Sequence, residues 1–130
     1  MADIYFTGPE HKQRFVTEIQ RIRKVDDGRC DAEYAAALYI LTENPTTWSK
    51  ARGYVSEHGI SFQEMIEEMD WSGGYSNLIK LAGNLFNSTT KVDMAAAAEL
   101  LDEENFRLAM DALRIRRYGL MLGTLQTARS

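Results

Sequence analysis

"GGYSNLIKLAGNLFN", residues 73–87, decides how the rest of the chain is read. Tyr75, Leu78, Ile79, Ala82, Leu85 and Phe86 recur at helical spacing. Their apolar band is wider than a surface helix needs, which predicts a central helix that others pack against. Asn77, Lys80, Asn84 and Asn87 fall at offsets 0, 3, 7 and 10 and form one polar stripe on its other side. Asparagine disfavours helix interiors and brings both a donor and an acceptor, so these amides need partners. Two readings stand. The stripe lines a groove for a peptide or small polar ligand, or its amides tie irregular segments to the helix.

Upstream, "SFQEMIEEMDW" (61–71) opens with a Ser61/Glu64 capping box. Phe62, Met65, Ile66 and Met69 mark its inner side, and Glu64, Glu67, Glu68 and Asp70 its outer side. Asn44-Pro45 starts a helix over "TTWSKARGYVSEHG", with Trp48, Ala51 and Val55 on one side and Gly59 as the stop. Asp31 is placed to cap "AEYAAALYILTE", where Tyr34, Leu38 and Leu41 share a face. Thr7 and Glu10 form another capping box around Pro9, ahead of a helix facing inward through Phe15, Ile19 and Ile22. "VDDGRC" ends that helix, with Gly28 free to take a positive φ.

Downstream, "MAAAAELL" reads as a short helix. Asp102 caps "EENFRLAMDALRIRR", with Phe106, Ala109, Met110 and Leu113 inward. Its acids come first and its arginines last, as the helix dipole favours. No β-type alternation persists over a useful length. The expected fold is all-α: a compact, single-domain, orthogonal or irregular bundle of about six helices over residues 1–119. Residues 120–130 are expected as a C-terminal tail, frayed or docked on a partner chain through its leucines.

The 130 residues are 45% apolar and 26% charged, enough apolar surface for a core and against disorder. A net charge of −4 disfavours nucleic acid and anionic lipid as partners, and it is too mild for a nucleic-acid mimic. No run approaches the ~18 apolar residues of a membrane span, and the first residues lack a signal-peptide core, so no membrane role and a cytoplasmic location are expected. The lone Cys30 excludes an intramolecular disulfide, and its acidic neighbours argue against a reactive thiol.

"FTGPEHKQRF", "YAAALYIL", "KLAGNLFN" and "ENFRLAMDALRIRRYG" occur in an order that resembles a family of small helical proteins from Gram-positive bacteria and their phages, classed as a domain of unknown function. The most specific blocks are Phe6-x(4)-His11, Trp71, Leu81 to Asn87, and Ile115-Arg116-Arg117-Tyr118-Gly119. The family commonly has an arginine near Lys80 and a bulky residue near Gly83, and this chain departs from it at both. The resemblance implies a cytosolic protein associated with phages or mobile elements. It implies no reaction and no catalytic residue.

Among the residues themselves, "EMIE" (Glu64, Glu67) and "ELLD" (Glu99, Asp102) resemble the E-x-x-E…E-x-x-D pattern of MazG-type nucleotide pyrophosphohydrolases. That resemblance implies four carboxylates around Mg²⁺ beside a triphosphate. The spacing between the pairs is long for the pattern, Glu64 and Glu67 face away from the apolar side, and Asp102 reads as a cap. His11 and His58, with one cysteine, make no zinc spacing, so no metal or other cofactor is expected. Trp71 and Tyr75 flank two glycines and suit either a ligand pocket or the core. Arg114, Arg116 and Arg117 could grip an acidic partner or satisfy helix-end carbonyls. The expected function is therefore a non-enzymatic protein-interaction module, acting on a protein partner or by self-association. Its binding candidates are Trp71, Tyr75, Asn77, Lys80, Asn84 and Asn87. A MazG-like hydrolase is the alternative, and any small-molecule ligand is left open.

Overall fold

The computed structural model describes residues 3–127. Its hub is not the helix over 73–87. It is α2 (Ala32–Leu41), in which every residue from Tyr34 to Leu41 is buried. A helix that is apolar all round must be covered all round. Ala35, Ala36 and Ala37 lack bulk, so neighbours approach its backbone closely, and alanine disturbs the helix least. Asp31 caps it by accepting from the Tyr34 N–H at 3.0 Å. At its other end Arg14 donates to the Thr42 carbonyl at 2.7 Å, satisfying a helix-end acceptor.

The elements around α2 follow in chain order. First come α1 (Pro9–Arg21) and a hairpin of β1 (Val25–Asp26) and β2 (Arg29–Cys30). After α2 come α3 (Pro45–Ala51), a 3₁₀ turn (Arg52–Tyr54) and a second hairpin, β3 (Val55–Ser56) and β4 (Gly59–Ile60). Then come α4 (Phe62–Glu68), α5 (Gly73–Asn87), α6 (Met94–Leu100), α7 (Glu103–Tyr118), β5 (Leu120–Met121) and α8 (Leu122–Thr127). The broadest packing surfaces are α2 on α5 and α2 on α7, and α5 also packs on α7. The buried apolar side chains form one continuous cluster. No helix among the described residues is long and apolar enough to cross a membrane.

The fold is thus helix-dominated but not all-α, and it has eight helices rather than six among the described residues. The difference lies in two turns. Asp27-Gly28 takes φ values of 51° and 78°, the left-handed pair that closes a two-residue hairpin, so Val25 pairs with Cys30. The helix expected to run to Gly59 stops at Ala51, because Val55 and Ile60 turn back on each other as an antiparallel pair. Residues 120–127, expected as a tail, belong to the fold. Cys30 pairs with Leu120 across β2 and β5, and Leu120, Leu122 and Leu125 are buried in the chain's own core. Residues 128–130 of that expected tail lie outside the described residues.

Neither expected capping box forms: the caps of α1 and α4 are Gly8 and Ser61, and neither gives a side-chain hydrogen bond. Thr7 serves differently, its N–H donating to His11 Nδ1 at 3.2 Å. With Nδ1 accepting, the proton sits on Nε2, which donates to the Tyr39 carbonyl at 2.8 Å. The Tyr39 hydroxyl donates to the Tyr5 carbonyl, and the Tyr5 N–H donates to Asp111 Oδ2 at 2.7 Å. The extended residues before α1 are therefore sewn to α1, α2 and α7 through His11, Tyr39 and Asp111. Phe6 packs edge-on against His11 and Tyr39 in the same seam.

Burial, together with the Arg14 charge, lowers the His11 pKa from 6.5 to about 4, despite the bond to Tyr39. The unfolded chain therefore binds this proton more readily than the folded one, and folding favours neutral His11. Its contribution is complete above about pH 6.5 and is lost as pH falls toward 4, to an extent of order 3 kcal/mol. Urea titrations across this range are expected to show that decline. His11→Gln, which keeps a donor and an acceptor, is expected to flatten it, and an unchanged slope would contradict the assignment.

Candidate functional site

One end of the molecule gathers the first turn of α5, the end of α6 and the start of α7. Gly74 shows the closeness: a Cβ there would lie 3.8 Å from the Leu100 carbonyl oxygen. Beside this end, a cleft of about 370 Å³ is lined by Asn44, Thr46, Thr47, Lys50, Trp71, Ser72 and Tyr75. It brings together Trp71 and Tyr75, two of the residues expected at a binding site.

The cleft walls are fixed by bonds that the local sequence dictates. Asn44 caps α3 by accepting from the Thr47 N–H at 2.8 Å. Its amide also donates to the Tyr75 hydroxyl at 2.9 Å, tying the start of α3 to α5. Burial raises the Tyr75 pKa, so the hydroxyl stays neutral and remains a donor as well as an acceptor. Lys50 Nζ donates to the Asp70 carbonyl at 2.6 Å and lies 5.2 Å from the Trp71 ring centroid. Trp71 Nε1 donates to the Met65 carbonyl at 3.3 Å. Such a cleft can hold a polar or aromatic group. Neither histidine lines it, so its hydroxyls have no imidazole beside them.

Asn77, Lys80, Asn84 and Asn87 lie elsewhere. Asn84 donates to the Thr90 carbonyl at 2.9 Å. Asn87 accepts from the Thr89 N–H at 3.1 Å and from the Thr89 hydroxyl at 2.6 Å. Both amides therefore serve the loop that leaves α5. Asn77 and Lys80 are half-buried and do not line the cleft. Gly83 explains the interior glycine: a Cβ there would meet Thr90 Oγ1 at 2.6 Å and Phe62 Cγ at 3.0 Å. The loop folds flat onto the helix only where no side chain intervenes.

Glu64, Glu67, Glu99 and Asp102 are all exposed, and they do not converge. Asp102 accepts from the Asn105 N–H at 2.8 Å as the cap of α7. Among the described residues no three His, Cys, Asp or Glu side chains are grouped so as to share a cation. Glu64 instead lines an open cleft of about 510 Å³ at the β3–β4 hairpin, together with His58. Cys30 lies under a third cleft, of about 410 Å³, and burial pushes its thiol up to about 11, an unreactive setting at neutral pH. Arg116 Nε donates to the Leu85 carbonyl at 2.8 Å and Arg114 pairs with Asp111 at 3.1 Å, so two of the three terminal arginines work within the fold.

Sequence reasoning missed two features of this end. Asn44, Thr47 and Lys50 join the aromatic pair only through tertiary packing, which no local pattern announces. The second feature is apolar. Leu100 is 64% exposed, Met94 44% and Phe106 38%, although Phe106 was expected inside. In α6 only Ala97 is buried. The adjacent leucines 100 and 101 were the available signal, because consecutive side chains point about 100° apart and a helix packed on one side only cannot turn both fully inward.

Fold and surface together define a small, helix-dominated protein with open clefts and large apolar side chains exposed on α6 and the first turn of α7. The chain belongs to a family of unknown function (DUF6075), whose model matches residues 1–127. No curated protein and no solved structure matches it.

Gly83→Ala is expected to destabilise the fold, since overpacking costs about 1–3 kcal/mol against the roughly 1 kcal/mol that alanine returns in helix propensity. Combining it with Thr90→Gly, which removes the opposing atoms, is expected to make the second change less costly than it is alone. Denaturant midpoints of the four proteins check this, and strictly additive losses would contradict the contact.

Proposed function

We propose that this protein is a non-enzymatic protein-interaction module whose docking surface is the exposed side of α6 and the first turn of α7. The observation that carries the reading is Leu100, a large apolar side chain left 64% exposed at the end of α6, with Met94 at the start of that helix and Phe106 in the first turn of α7 exposed as well. Isolated exposed leucines are ordinary, whereas three large apolar side chains left exposed along one short stretch of chain that buries so little favour a contact surface. Asp93, Glu99, Asp102, Glu103 and Glu104 lie between or next to them in sequence, all exposed. An apolar centre with a charged rim is the usual layout of a protein interface.

The Trp71 cleft lies close to this surface and gives a partner's polar or aromatic side chain a place to enter. The setting we assign is the cytoplasm of a Gram-positive bacterium or its phage, with a link to mobile elements. That assignment rests on the family resemblance of the Phe6 to His11, Leu81 to Asn87 and Ile115 to Gly119 blocks.

A photo-crosslinking side chain placed at position 100 in the native cell tests the proposal. It is expected to trap one defined protein, while the same group at Gln20, exposed on α1, traps none. Equal trapping at both positions, or none at 100, would contradict it.

A further inference from the structure

Resting on that reading, we infer that the partner seated on the α6–α7 surface is a second copy of this chain, docked head to tail. The chain has a second pair of exposed apolar side chains, close in sequence to Arg116 and Arg117. Tyr118 is 58% exposed and Met121 42%. The Arg117 guanidinium lies 5.3 Å from the Tyr118 ring centroid, so charge and apolar surface form one platform. Met121 sits on the Asp27-Gly28 hairpin, its Cε 3.8 Å from where a Gly28 Cβ would be. Arg29 reaches over the same place, its Nη1 3.0 Å from the Cβ position of Gly119. Asp26 and Asp27 also lie on that hairpin, so the attraction is a local one, centred on Arg117 and Arg29.

The two patches occupy opposite ends of α7. Phe106 stands in its first turn and Tyr118 is its last residue, with Glu103 and Glu104 at one end and Arg116 and Arg117 at the other. Sixteen residues of helix separate the ends by roughly 24 Å. One copy therefore cannot close the two patches on each other. A two-fold contact through the acidic patch would set its acids against the acids of the other copy, and like charges across an interface repel. The acidic patch of one copy against the Arg117 platform of the next pairs apolar with apolar and sets its acids against Arg117 and Arg29. A contact of this kind is heterologous, so it closes into a ring or continues as a filament.

Sedimentation velocity with charge-swapped variants tests the inference. The wild-type chain is expected to gain mass with concentration, and raising salt from about 0.05 to 0.5 M to weaken the association about tenfold. Glu99→Arg with Glu104→Arg, and separately Arg29→Glu with Arg117→Glu, are each expected to sediment as single chains. Mixed in equal amounts they are expected to recover the wild-type mass, because each reversed patch then meets its complement. Leu100→Gln, which leaves the charges alone, is expected to weaken association and guards against a charge variant that fails to fold. A wild-type chain that stays single into the millimolar range, or a mixture that gains no mass, would overturn head-to-tail docking. If the position-100 crosslink traps a different protein while the chain stays single, the second copy is wrong and the interaction reading survives.

Discussion

The structure depends on burying eight consecutive residues of one helix. From Ala35 to Leu41 no residue of α2 reaches solvent, so the remaining helices are arranged to cover it. Backbone groups in such a place have no water to fall back on and must bond within the helix or to dedicated partners. Asp31 at one end and Arg14 at the other are those partners. The three consecutive alanines let α5 and α7 approach closely, and dispersion contacts accumulate on both sides. Substituting a larger side chain at Ala36 would push these helices apart, since interiors pack at crystal-like density.

A second constraint closes the remaining side. The extended segment before α1 has no secondary structure to satisfy its backbone. Asp111 accepts from the Tyr5 N–H, and Tyr39 donates to the Tyr5 carbonyl. His11 in its neutral form bonds Thr7 and Tyr39 together. A small polar network with every group paired can sit at the edge of a core, and here it joins α1, α2 and α7 to the start of the chain. The Phe6-to-His11 spacing noticed in the sequence is thus a packing motif, with the two rings 4.8 Å apart.

Much of this was legible beforehand. Asp31, Asn44 and Asp102 cap the helices they precede, because short polar side chains before an apolar run have few better uses. The seven-residue α6 and the long α7 also fall where periodicity places them. Other parts were misread for physical reasons. "YAAALYIL" fits a single helical face at three positions, but its uniform apolarity was the stronger signal and made α2 the hub in place of α5. Asp27-Gly28 is a hairpin signature that a two-residue strand pair is too short to support by alternation. Gly119 begins the segment that brings Leu120 beside Cys30, a long-range pairing that no local pattern reveals. The Trp71–Tyr75 pair was visible, whereas Asn44 and Lys50 reach it only through the packing of α3 against the start of α5.

The contrast between α2 and α6 underlies both the stability and the proposed function. One helix buries every residue from Tyr34 to Leu41, and the other buries only Ala97. Native-state hydrogen exchange measures that contrast residue by residue. Amides of Ala35 to Leu41 are expected to exchange last, with opening free energies equal to that of global unfolding, while those of α6 exchange through local opening. Amides of α2 that exchange as fast as those of α6 would contradict the account at its base.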